Sequence, residues 1–345
     1  MDRGFLYELL KAGGVSGNEF AVEKIVFDHM KDKADSVTVD ELGNVTAALN
    51  TSASFKVLLT GHADEIGLMV TAVTDDGMLK VNGIGHVFPS IFLGHKVRIY
   101  TERGIVYGAV VNTKDLREKK ELEESELTID IGASGKNEAL SAVSPGDTLT
   151  FDTDVRELLG ARITARALDD RTGVFIVMEA LKKAAESGVS IGVYSAATTG
   201  EETTMNGAYF TASRIKPNIA IAVDVTYTSD YEGTNIADTG DIGLGRGPVI
   251  CNNPSIHKKV NVLLKKAAEK AGIKIQIEAA NGRTGTDGDV MHRTGIGVPF
   301  ALVSIPLRYM HSPAECADLN DIENCIDLLA EFLCSLSEDT DLKPF

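Results

Sequence analysis

Hydrophobic and polar positions follow three successive patterns along the chain, and the first predicts a helix, a hairpin and a buried strand. Apolar residues recur at helical spacing in residues 18–32. Two short alternating runs follow at residues 36–40 and 45–49, separated by a Gly-Asn turn, as is typical of a hairpin. Residues 55–60 are then a short apolar strand that ends just before His62.

The second pattern, in residues 67–159, predicts a small all-β domain. Short alternating segments separated by glycines are typical of a β-barrel or sandwich. Examples are residues 68–73, 96–100, 105–111 and 127–131. Residues 114–126 are almost wholly charged, which predicts a mobile surface loop rather than a binding patch.

From residue 161 onward, helical and strand patterns alternate, which predicts an α/β fold with a mixed sheet sandwiched between helices. The predicted helices span residues 171–187, 206–214, 256–271, 287–293 and 321–336, and the predicted strands span residues 190–197, 218–223, 273–277 and 298–305. We therefore predict a discontinuous catalytic α/β domain from residues 1–66 and 160–345, with residues 67–159 inserted as the β-rich domain.

Composition narrows the range of partners. The chain has 34 basic and 50 acidic residues and a net charge of −16, which argues against binding to nucleic acid or to an anionic membrane. The 4 cysteines have no CxxC spacing, so we expect reduced thiols and a cytoplasmic location. The first ten residues lack the basic and apolar regions of a signal peptide, and we find no apolar run long enough to span a membrane.

Polar residues follow several of the predicted strands of the α/β domain. His62 follows the strand at residues 55–60, Glu201 and Glu202 follow the next strand, Asp224 follows residues 219–223, and His311 follows the last strand. Ligands of open α/β sheets bind outside the carboxyl ends of the strands, so we expect these side chains to lie close together. Imidazoles and carboxylates are ligands that hold pairs of divalent ions, and the pattern therefore predicts a two-metal hydrolase site.

The charges of this set are compatible with two divalent cations. Three carboxylates, those of Asp169, Glu202 and Asp224, would leave the two cations with one net positive charge. A bridging hydroxide would cancel that charge and would serve as the nucleophile.

Two acidic residues are predicted to act without binding metal. Because Glu201 and Glu202 are adjacent, their side chains point to different sides, so one can bind metal while the other stays free. We assign Glu201 as the free residue, a general base that later acts as a general acid. Asp64 lies two residues from His62 and is expected to orient its imidazole ring by a hydrogen bond.

A glycine-rich run at residues 282–289 suggests a binding loop. It lacks the Lys-Ser/Thr pair of a P-loop and the closing Glu of an EF-hand. We therefore predict that Gly285, Thr286 and Asp287 form a backbone wall of the substrate pocket.

These motifs resemble, in order and over nearly the whole chain, those of the TET-type (tetrahedral) metallo-aminopeptidases, also known as glutamyl aminopeptidases or endoglucanase M-like proteins. The motifs are Gly-His62-Ala-Asp64-Glu65-Ile-Gly, Ala-Leu-Asp169-Asp170-Arg171, Glu201-Glu202, Val-Asp224-Val-Thr, Gly-Thr286-Asp287 and Arg-Tyr-Met-His311-Ser-Pro. The sequence departs from the family at Gly200, where Gln is common, and in residues 114–126.

The resemblance implies a zinc-exopeptidase-like fold and a specific division of the ligands. His62 and Asp224 would bind one metal ion, Glu202 and His311 the other, and Asp169 both, with Glu201 as the proton shuttle. The metals would be zinc or cobalt. The β insert would be a dimerisation domain, and the subunits would form dimers or a tetrahedral homododecamer.

We predict a cytoplasmic, dinuclear metal-dependent aminopeptidase that removes N-terminal residues from short peptides. Three alternatives remain open. A metal-dependent deacylase of small N-acyl amino acids would prefer blocked to free amines. A glycosidase with paired carboxylates would keep its activity after chelation. A non-catalytic, metal-stabilised assembly protein would gain thermal stability from metal but hydrolyse nothing.

Overall fold

The computed structural model describes residues 1–345, apart from the side chain of Thr239. The α-helices are α1 (Arg3–Lys11), α2 (Phe20–Met30), α3 (Lys114–Arg117), α4 (Lys136–Ala142), α5 (Leu168–Glu186), α6 (Asn206–Ile215), α7 (Ile236–Thr239), α8 (Lys258–Ala271), α9 (Gly288–Met291) and α10 (Leu319–Cys334). The strands are β1 (Ser36–Val39), β2 (Val45–Leu49), β3 (Lys56–His62), β4 (Gly67–Val73), β5 (Leu79–Ile84), β6 (Lys96–Thr101), β7 (Gly104–Val110), β8 (Thr128–Asp130), β9 (Thr148–Phe151), β10 (Arg156–Glu157), β11 (Arg162–Ala165), β12 (Gly192–Thr198), β13 (Ile219–Tyr227), β14 (Val249–Asn252), β15 (Gln276–Ala279), β16 (Phe300–Leu307) and β17 (Glu315–Asp318).

An 8-stranded mixed sheet in the order β1-β2-β12-β3-β13-β16-β14-β15 forms the centre of the α/β part. Its middle strands β12, β3, β13 and β16 run parallel, whereas β2 is antiparallel to β12 and β14 is antiparallel to β16. Strands β3 and β13 are buried along nearly their whole lengths, as expected from their apolar runs. The carboxyl ends of four neighbouring strands therefore meet at one edge of the sheet.

Helices cover both faces of this sheet. Gly61 of β3 faces α5, and a Cβ atom at Gly61 would lie only 2.4 Å from the backbone of Gly173, so glycine permits the close approach. Thr60 points to the opposite face, where its hydroxyl lies 3.7 Å from Sδ of Met291 in α9. The close approach at Gly61 places the start of α5 directly against the end of β3.

The β-rich part of the chain closes into a barrel with the strand order β4-β5-β8-β7-β6-β9. It has its own apolar core, separate from that of the α/β part. Phe92 and Phe151 stack in this core with ring centroids 4.2 Å apart. The barrel is thus packed by its own side chains, and its outer surface is left for other contacts.

The charged segment of residues 114–126 differs from the predicted loop. It contains the single helical turn α3 and a 3-10 turn at Glu124–Glu126. The Thr113 side chain caps α3, and Glu123 forms a capping box with Glu126. These local side chain to backbone hydrogen bonds explain why a charged sequence adopts helical turns here.

A 3-stranded sheet, β10-β11-β17, lies beside the main sheet. It places Glu315, the first residue of β17, next to the loop that carries His311. Helix α10 then begins at Leu319, where the Asp318 side chain accepts a hydrogen bond from the backbone nitrogen of Asn320 at 2.9 Å. Among the described residues, no helix has both the length and the apolar composition of a membrane span.

The predicted fold class is confirmed, because a mixed sheet is packed between helices and a closed barrel interrupts it in sequence. The predicted hairpin is also present, as β1 and β2 pair in antiparallel fashion. Several boundaries are shifted, since β16 spans Phe300–Leu307 rather than residues 298–305 and β15 spans Gln276–Ala279 rather than residues 273–277. Strand β14 was not predicted.

Candidate metal centre

Residues at or near the carboxyl ends of four neighbouring strands form most of the candidate metal centre. His62 is the last residue of β3 and pairs in register with Thr198, the last residue of β12, so that Glu201 and Glu202 follow just beyond. Asp224 lies inside β13 and not after it, because β13 continues to Tyr227, which corrects the predicted strand end. In the register of β13 with β3, Ala222 pairs with Thr60, which brings Asp224 level with His62.

The carboxylate of Asp169 lies between two imidazoles. Its Oδ1 is 3.1 Å from Nε2 of His62, and its Oδ2 is 3.2 Å from Nε2 of His311. Asp169 reaches this position because the backbone at Asp169 and Asp170 is not helical, although both residues belong to α5. One carboxylate thus connects the strand end at His62 with the loop that carries His311.

Both histidines are oriented by a backbone carbonyl at Nδ1, so that Nε2 is the ring nitrogen that faces Asp169. Nδ1 of His62 lies 3.2 Å from the backbone oxygen of Asp64, and Nδ1 of His311 lies 2.9 Å from the backbone oxygen of His86. A carbonyl oxygen can only accept, so each Nδ1 donates a proton. In the metal-free centre each Nε2 donates a hydrogen bond to Asp169, and a metal ion would take the place of that proton.

Asp64 is fully buried and connects His62 with the loop of the two glutamates. Its Oδ1 lies 3.4 Å from Nδ1 of His62 and accepts the backbone N–H of Glu201 at 3.0 Å. Its Oδ2 accepts the N–H of Glu202 at 3.1 Å and the hydroxyl of Ser16 at 2.5 Å. Asp64 therefore positions one imidazole and two acidic residues at once.

Glu201 is buried beside this centre with an unpartnered carboxylate oxygen. It is 7 % exposed, its Oε1 has no hydrogen-bond partner, and its Oε2 lies 3.9 Å from Nε2 of His62. Burial, together with the charges of Asp224 and Asp287, raises the pKa of Glu201 to about 10 against the opposing effect of His62. A carboxylate in this position is stable only with a proton or a cation nearby.

The other acidic groups of the centre show the same excess of negative charge. Burial and the charge of Asp169 raise the pKa of Glu202 to about 8, and burial raises the pKa of Asp224 well above its usual value. Burial alone would lower the pKa of His311, but its hydrogen bond to Asp169 raises it to about 9. Burial would raise the pKa of Asp169, but the hydrogen bonds from His311 and His62 lower it. The cluster as a whole favours bound positive charge.

The positions of the ligand atoms fit divalent cations. The ligand atoms of His62, Asp169 and Glu202 lie within 4.8 Å of one another, and so do those of His62, Asp170 and Asp224. Nε2 of His311 lies 3.6 Å from Oε1 of Glu202, which adds a second imidazole on that side. Nitrogen and oxygen ligands of this kind suit zinc and related divalent ions.

The predicted substrate-pocket residues separate into two groups. Gly285 and Thr286 line a cleft of about 450 Å³ that contains the metal-ligand candidates. Asp287 lies behind this wall, 3 % exposed, and accepts a hydrogen bond from the hydroxyl of Thr198 at 2.6 Å. Its buried Oδ1 has no partner.

Sequence reasoning assigned no role in the centre to three participants. Oε1 of Glu315 accepts the backbone N–H of His311 at 2.9 Å, and its Oε2 accepts that of Asp169 at 3.3 Å. Asp170 accepts the N–H of His62 at 3.2 Å, and His86 supplies the carbonyl that orients His311. The acidic residue four positions after His311 was the available signal for Glu315, whereas nothing local indicated His86.

A second buried cluster of charges lies beside the metal centre. Arg166 donates to Oε2 of Glu65 at 2.6 Å, and Arg171 donates to its Oε1 at 2.7 Å. Arg171 also donates to the backbone oxygens of Leu9, at 3.0 Å, and of Ala12. We call these three residues, Glu65, Arg166 and Arg171, the arginine cluster. It connects the amino-terminal segment to the sheet.

Comparisons with known proteins identify the family of the chain. A model of the family described as M42 glutamyl aminopeptidase matches residues 43–328. The lysyl aminopeptidase of Pyrococcus furiosus is 35% identical over 343 residues, which cover 96% of this chain and 97% of that protein.

Solved structures are similar over the same length. A TET aminopeptidase from a marine sediment archaeon of the Thaumarchaeota is 29% identical with a TM-score of 0.91, covering 97% of this chain and 96% of that chain. The Pyrococcus horikoshii TET1 peptidase, which can assemble into a tetrahedron or a large octahedral shell, is 32% identical with a TM-score of 0.87, covering 97% and 99% of the two chains. The resemblance to TET-type aminopeptidases is confirmed. The chain belongs to the M42 glutamyl aminopeptidase family and is an aminopeptidase.

Proposed function

We propose that this protein is a dinuclear, metal-dependent aminopeptidase that removes N-terminal residues from short peptides. The observation that carries this proposal is the Asp169 carboxylate, whose two oxygens face His62 at 3.1 Å and His311 at 3.2 Å. A carboxylate held between two imidazoles of fixed tautomer is a suitable bridge for two cations.

We assign His62 and Asp224 to one ion, Glu202 and His311 to the other, and Asp169 to both. Asp170 is the competing candidate for the bridge, since its carboxylate also lies near His62 and Asp224. Both oxygens of Asp170 accept backbone N–H groups, those of Gly173 at 3.0 Å and His62 at 3.2 Å. The two oxygens of Asp169 instead face the imidazoles of His62 and His311. Asp170 therefore holds the start of α5 against β3, which leaves the bridging role to Asp169.

When bound, the two divalent ions, zinc or cobalt as the resemblance to TET-type aminopeptidases implies, would polarise the scissile carbonyl and acidify the attacking water. Glu201 accepts the proton of that water and passes it to the leaving amine. Its Oε1 has no partner within the protein, and its side chain lines the cleft, so this oxygen is available to a water and then to a substrate nitrogen. Asp64 and Glu315 are positioning residues for this step.

Substrate would enter the cleft beside the glycine-rich turn. Gly285 and Thr286 form one wall, and we propose that their backbone contacts the peptide, with Asp287 supporting the wall from behind. The excess of carboxylates would also attract the protonated α-amine of the substrate.

We further propose that residues 67–159 act as a dimerisation domain and that the protein forms homo-oligomers, dimers or a tetrahedral dodecamer. The barrel exposes Ile105, 49% accessible, and Tyr107, 61% accessible, on β7. The TET1 relative assembles into closed shells. All 4 cysteines are free thiols, which suits the cytoplasmic location that we propose.

The proposal is tested by assaying chelator-stripped protein on aminoacyl p-nitroanilides, free and N-acetylated, before and after addition of zinc, cobalt or manganese. We expect metal-dependent cleavage of the free-amine set only, and about two metal ions per chain by elemental analysis. Asp169→Asn should lose both activity and metal. Cleavage of only the acetylated set would identify a deacylase instead, and metal binding without any hydrolysis would leave a metal-stabilised assembly protein.

A further inference from the structure

Glu278 is an acidic residue of the substrate cleft that the proposed chemistry does not use. It lies in β15 at the end of the main sheet, half-buried, and lines the same cleft as Glu201 and Asp224. Oε1 of Glu278 accepts a hydrogen bond from the hydroxyl of Thr226 at 3.1 Å. A glutamine would accept the same bond, so this contact does not explain a carboxylate here.

No basic side chain of the described residues pairs with Glu278. The ion pairs of the chain do not include it, and the residues that line the cleft contain neither Lys nor Arg. Burial raises the pKa of Glu278, and only the Thr226 hydrogen bond opposes the rise. The carboxylate thus has a desolvation cost that a bound cation would offset.

The distance between Glu278 and the metal centre matches the length of a long substrate side chain. Asp224 and Thr226 lie on the same face of β13, two residues and therefore about 6.6 Å apart along the strand. Glu278 contacts the farther of the two. A lysine ammonium lies at the end of a four-carbon stem, roughly 6 Å from its Cα. An α-amine bound at the metal centre would place this group near Glu278.

The wall of the cleft between the metal centre and Glu278 would accommodate the methylene groups of a lysine or arginine side chain. Met205, Met310 and Tyr227 line the cleft together with Glu278. Thioethers and aromatic rings pack well against the methylene groups of lysine and arginine, while the charged end reaches a polar partner.

We infer that Glu278 is a specificity-determining residue that selects peptides with a basic N-terminal side chain, Lys or Arg. The inference rests on the proposed aminopeptidase function and names its substrate class. A bidentate or charge-assisted contact between the carboxylate and the substrate cation supplies the discrimination.

Arg283 would favour the opposite preference, that for an acidic N-terminal side chain. Its Nη2 lies 4.0 Å from Sδ of Met205 at the mouth of the cleft, so it could attract an acidic substrate. Its Nε is, however, paired with Asp289 at 3.1 Å, and its side chain is 69% exposed. The Asp289 carboxylate offsets the charge of Arg283, whereas no basic side chain of the described residues offsets that of Glu278.

The experiment compares kcat/KM for the p-nitroanilides of lysine, arginine, norleucine and glutamate, using metal-loaded wild-type protein, Glu278→Gln and the surface control Glu269→Gln. Norleucine has nearly the shape of lysine without the charge. We expect wild type to prefer lysine to norleucine, and we expect Glu278→Gln to reduce that ratio by roughly 10- to 100-fold. Glu269→Gln, on the exposed side of α8, should keep the wild-type ratio. Glu278→Lys should shift the preference toward glutamate.

Binding to wild-type protein provides a readout that needs no variant to fold. Calorimetric titration of the metal-loaded protein should show tighter binding of L-lysine than of L-norleucine. An equal or reversed order of affinities, or an unchanged lysine to norleucine ratio in Glu278→Gln, overturns the inference. A preference for glutamate would overturn it in favour of Arg283. If no free-amine substrate is cleaved under any metal, the proposed function itself fails, which is distinguishable from loss of the lysine preference alone.

Discussion

Two buried clusters of charge lie side by side, and they are balanced in opposite ways. In the arginine cluster, one carboxylate receives hydrogen bonds from two guanidinium groups, so the protein supplies its own counter-charge. In the metal centre, carboxylates outnumber imidazoles, and the pKa values of Glu201 and Glu202 are raised to about 10 and about 8. Asp64 and Glu65 are adjacent in sequence, yet each serves a different cluster.

The difference separates charge used for stability from charge kept for function. A buried carboxylate is costly unless it is paired. The arginine cluster is complete within the chain and links the amino-terminal segment to α5. The metal centre is incomplete within the chain, and this deficit of positive charge is what makes it a site for cations.

We expect the largest effect from Glu201→Gln, which should reduce catalysis without disrupting either charge cluster. Glu201→Gln keeps the size and burial of the side chain but cannot accept the proton, so kcat should fall by about 10²- to 10⁴-fold. Elemental analysis should show unchanged metal content, because Glu201 is not a ligand in our assignment. Full activity in this variant would exclude the proton-transfer role.

A comparable effect, on stability, is expected in the arginine cluster. Glu65→Ala leaves Arg166 and Arg171 buried without a carboxylate and should lower the free energy of unfolding by about 3–5 kcal/mol. Urea denaturation of chelator-stripped protein measures it. The exposed Glu8→Ala serves as control, with a change within about 0.5 kcal/mol. A loss below about 1 kcal/mol for Glu65→Ala would mean that the arginine cluster contributes little to stability.

The stability of the metal-free protein should fall as pH rises, whereas a carboxylate in an ion pair makes stability rise with pH. Glu202 has an ordinary pKa of 4.5 in the unfolded chain and about 8 in the folded, metal-free protein, so the folded state binds more protons between these values. Its contribution to stability is fully present below about 4.5 and is lost as pH rises through about 8. Each pKa unit corresponds to about 1.4 kcal/mol.

Thermal melts of chelator-stripped protein over a range of roughly pH 5 to 9 test this expectation. Stability should decline with rising pH, Glu202→Gln should reduce the decline, and added zinc should reverse it. A metal-free protein whose stability rises over the same range would show that the carboxylates are already balanced.

The smallest effects are expected for the residues that position the ligands. Asp64→Asn weakens the support of His62 and of the glutamate loop, so metal affinity or activity should fall by about 10- to 100-fold. Ser16→Ala removes one hydrogen bond to Asp64 and should cost only about 1 kcal/mol. Metal titrations of both variants should reproduce this order. An inverted order would mean that Ser16 has a role beyond its contact with Asp64.

The central strands of the main sheet were predicted well because they are apolar runs followed by polar residues, whereas β14 was not predicted. This pattern placed His62, Glu201 and Glu202 near one sheet edge. It could not place Asp169, whose position depends on the close approach of Gly61 and Gly173, and the bridging assignment came from the resemblance to a family. Element boundaries were less predictable where a single side chain decides them, as Asp318 does at the start of α10.

Contacts between distant parts of the chain were beyond sequence reasoning. His86 belongs to the loop after β5, and its carbonyl meets a histidine 225 positions later. Periodicity and spacing carry no signal for such a contact. Likewise, the position of Glu278 in the wall of the cleft depends on the pairing of β14 with β15, which local patterns do not indicate.

The hydrogen bond from His311 to the His86 carbonyl has a consequence for protein engineering. Excising the barrel to make a minimal enzyme would remove the carbonyl that orients His311, even though the apolar core of the barrel is separate from that of the α/β part. Removing it would free the His311 ring to rotate and to change tautomer. Any redesign that trims or swaps this insert must therefore retain the backbone of residues 85–87 as a fixed template, whatever sequence is chosen for the strands around it.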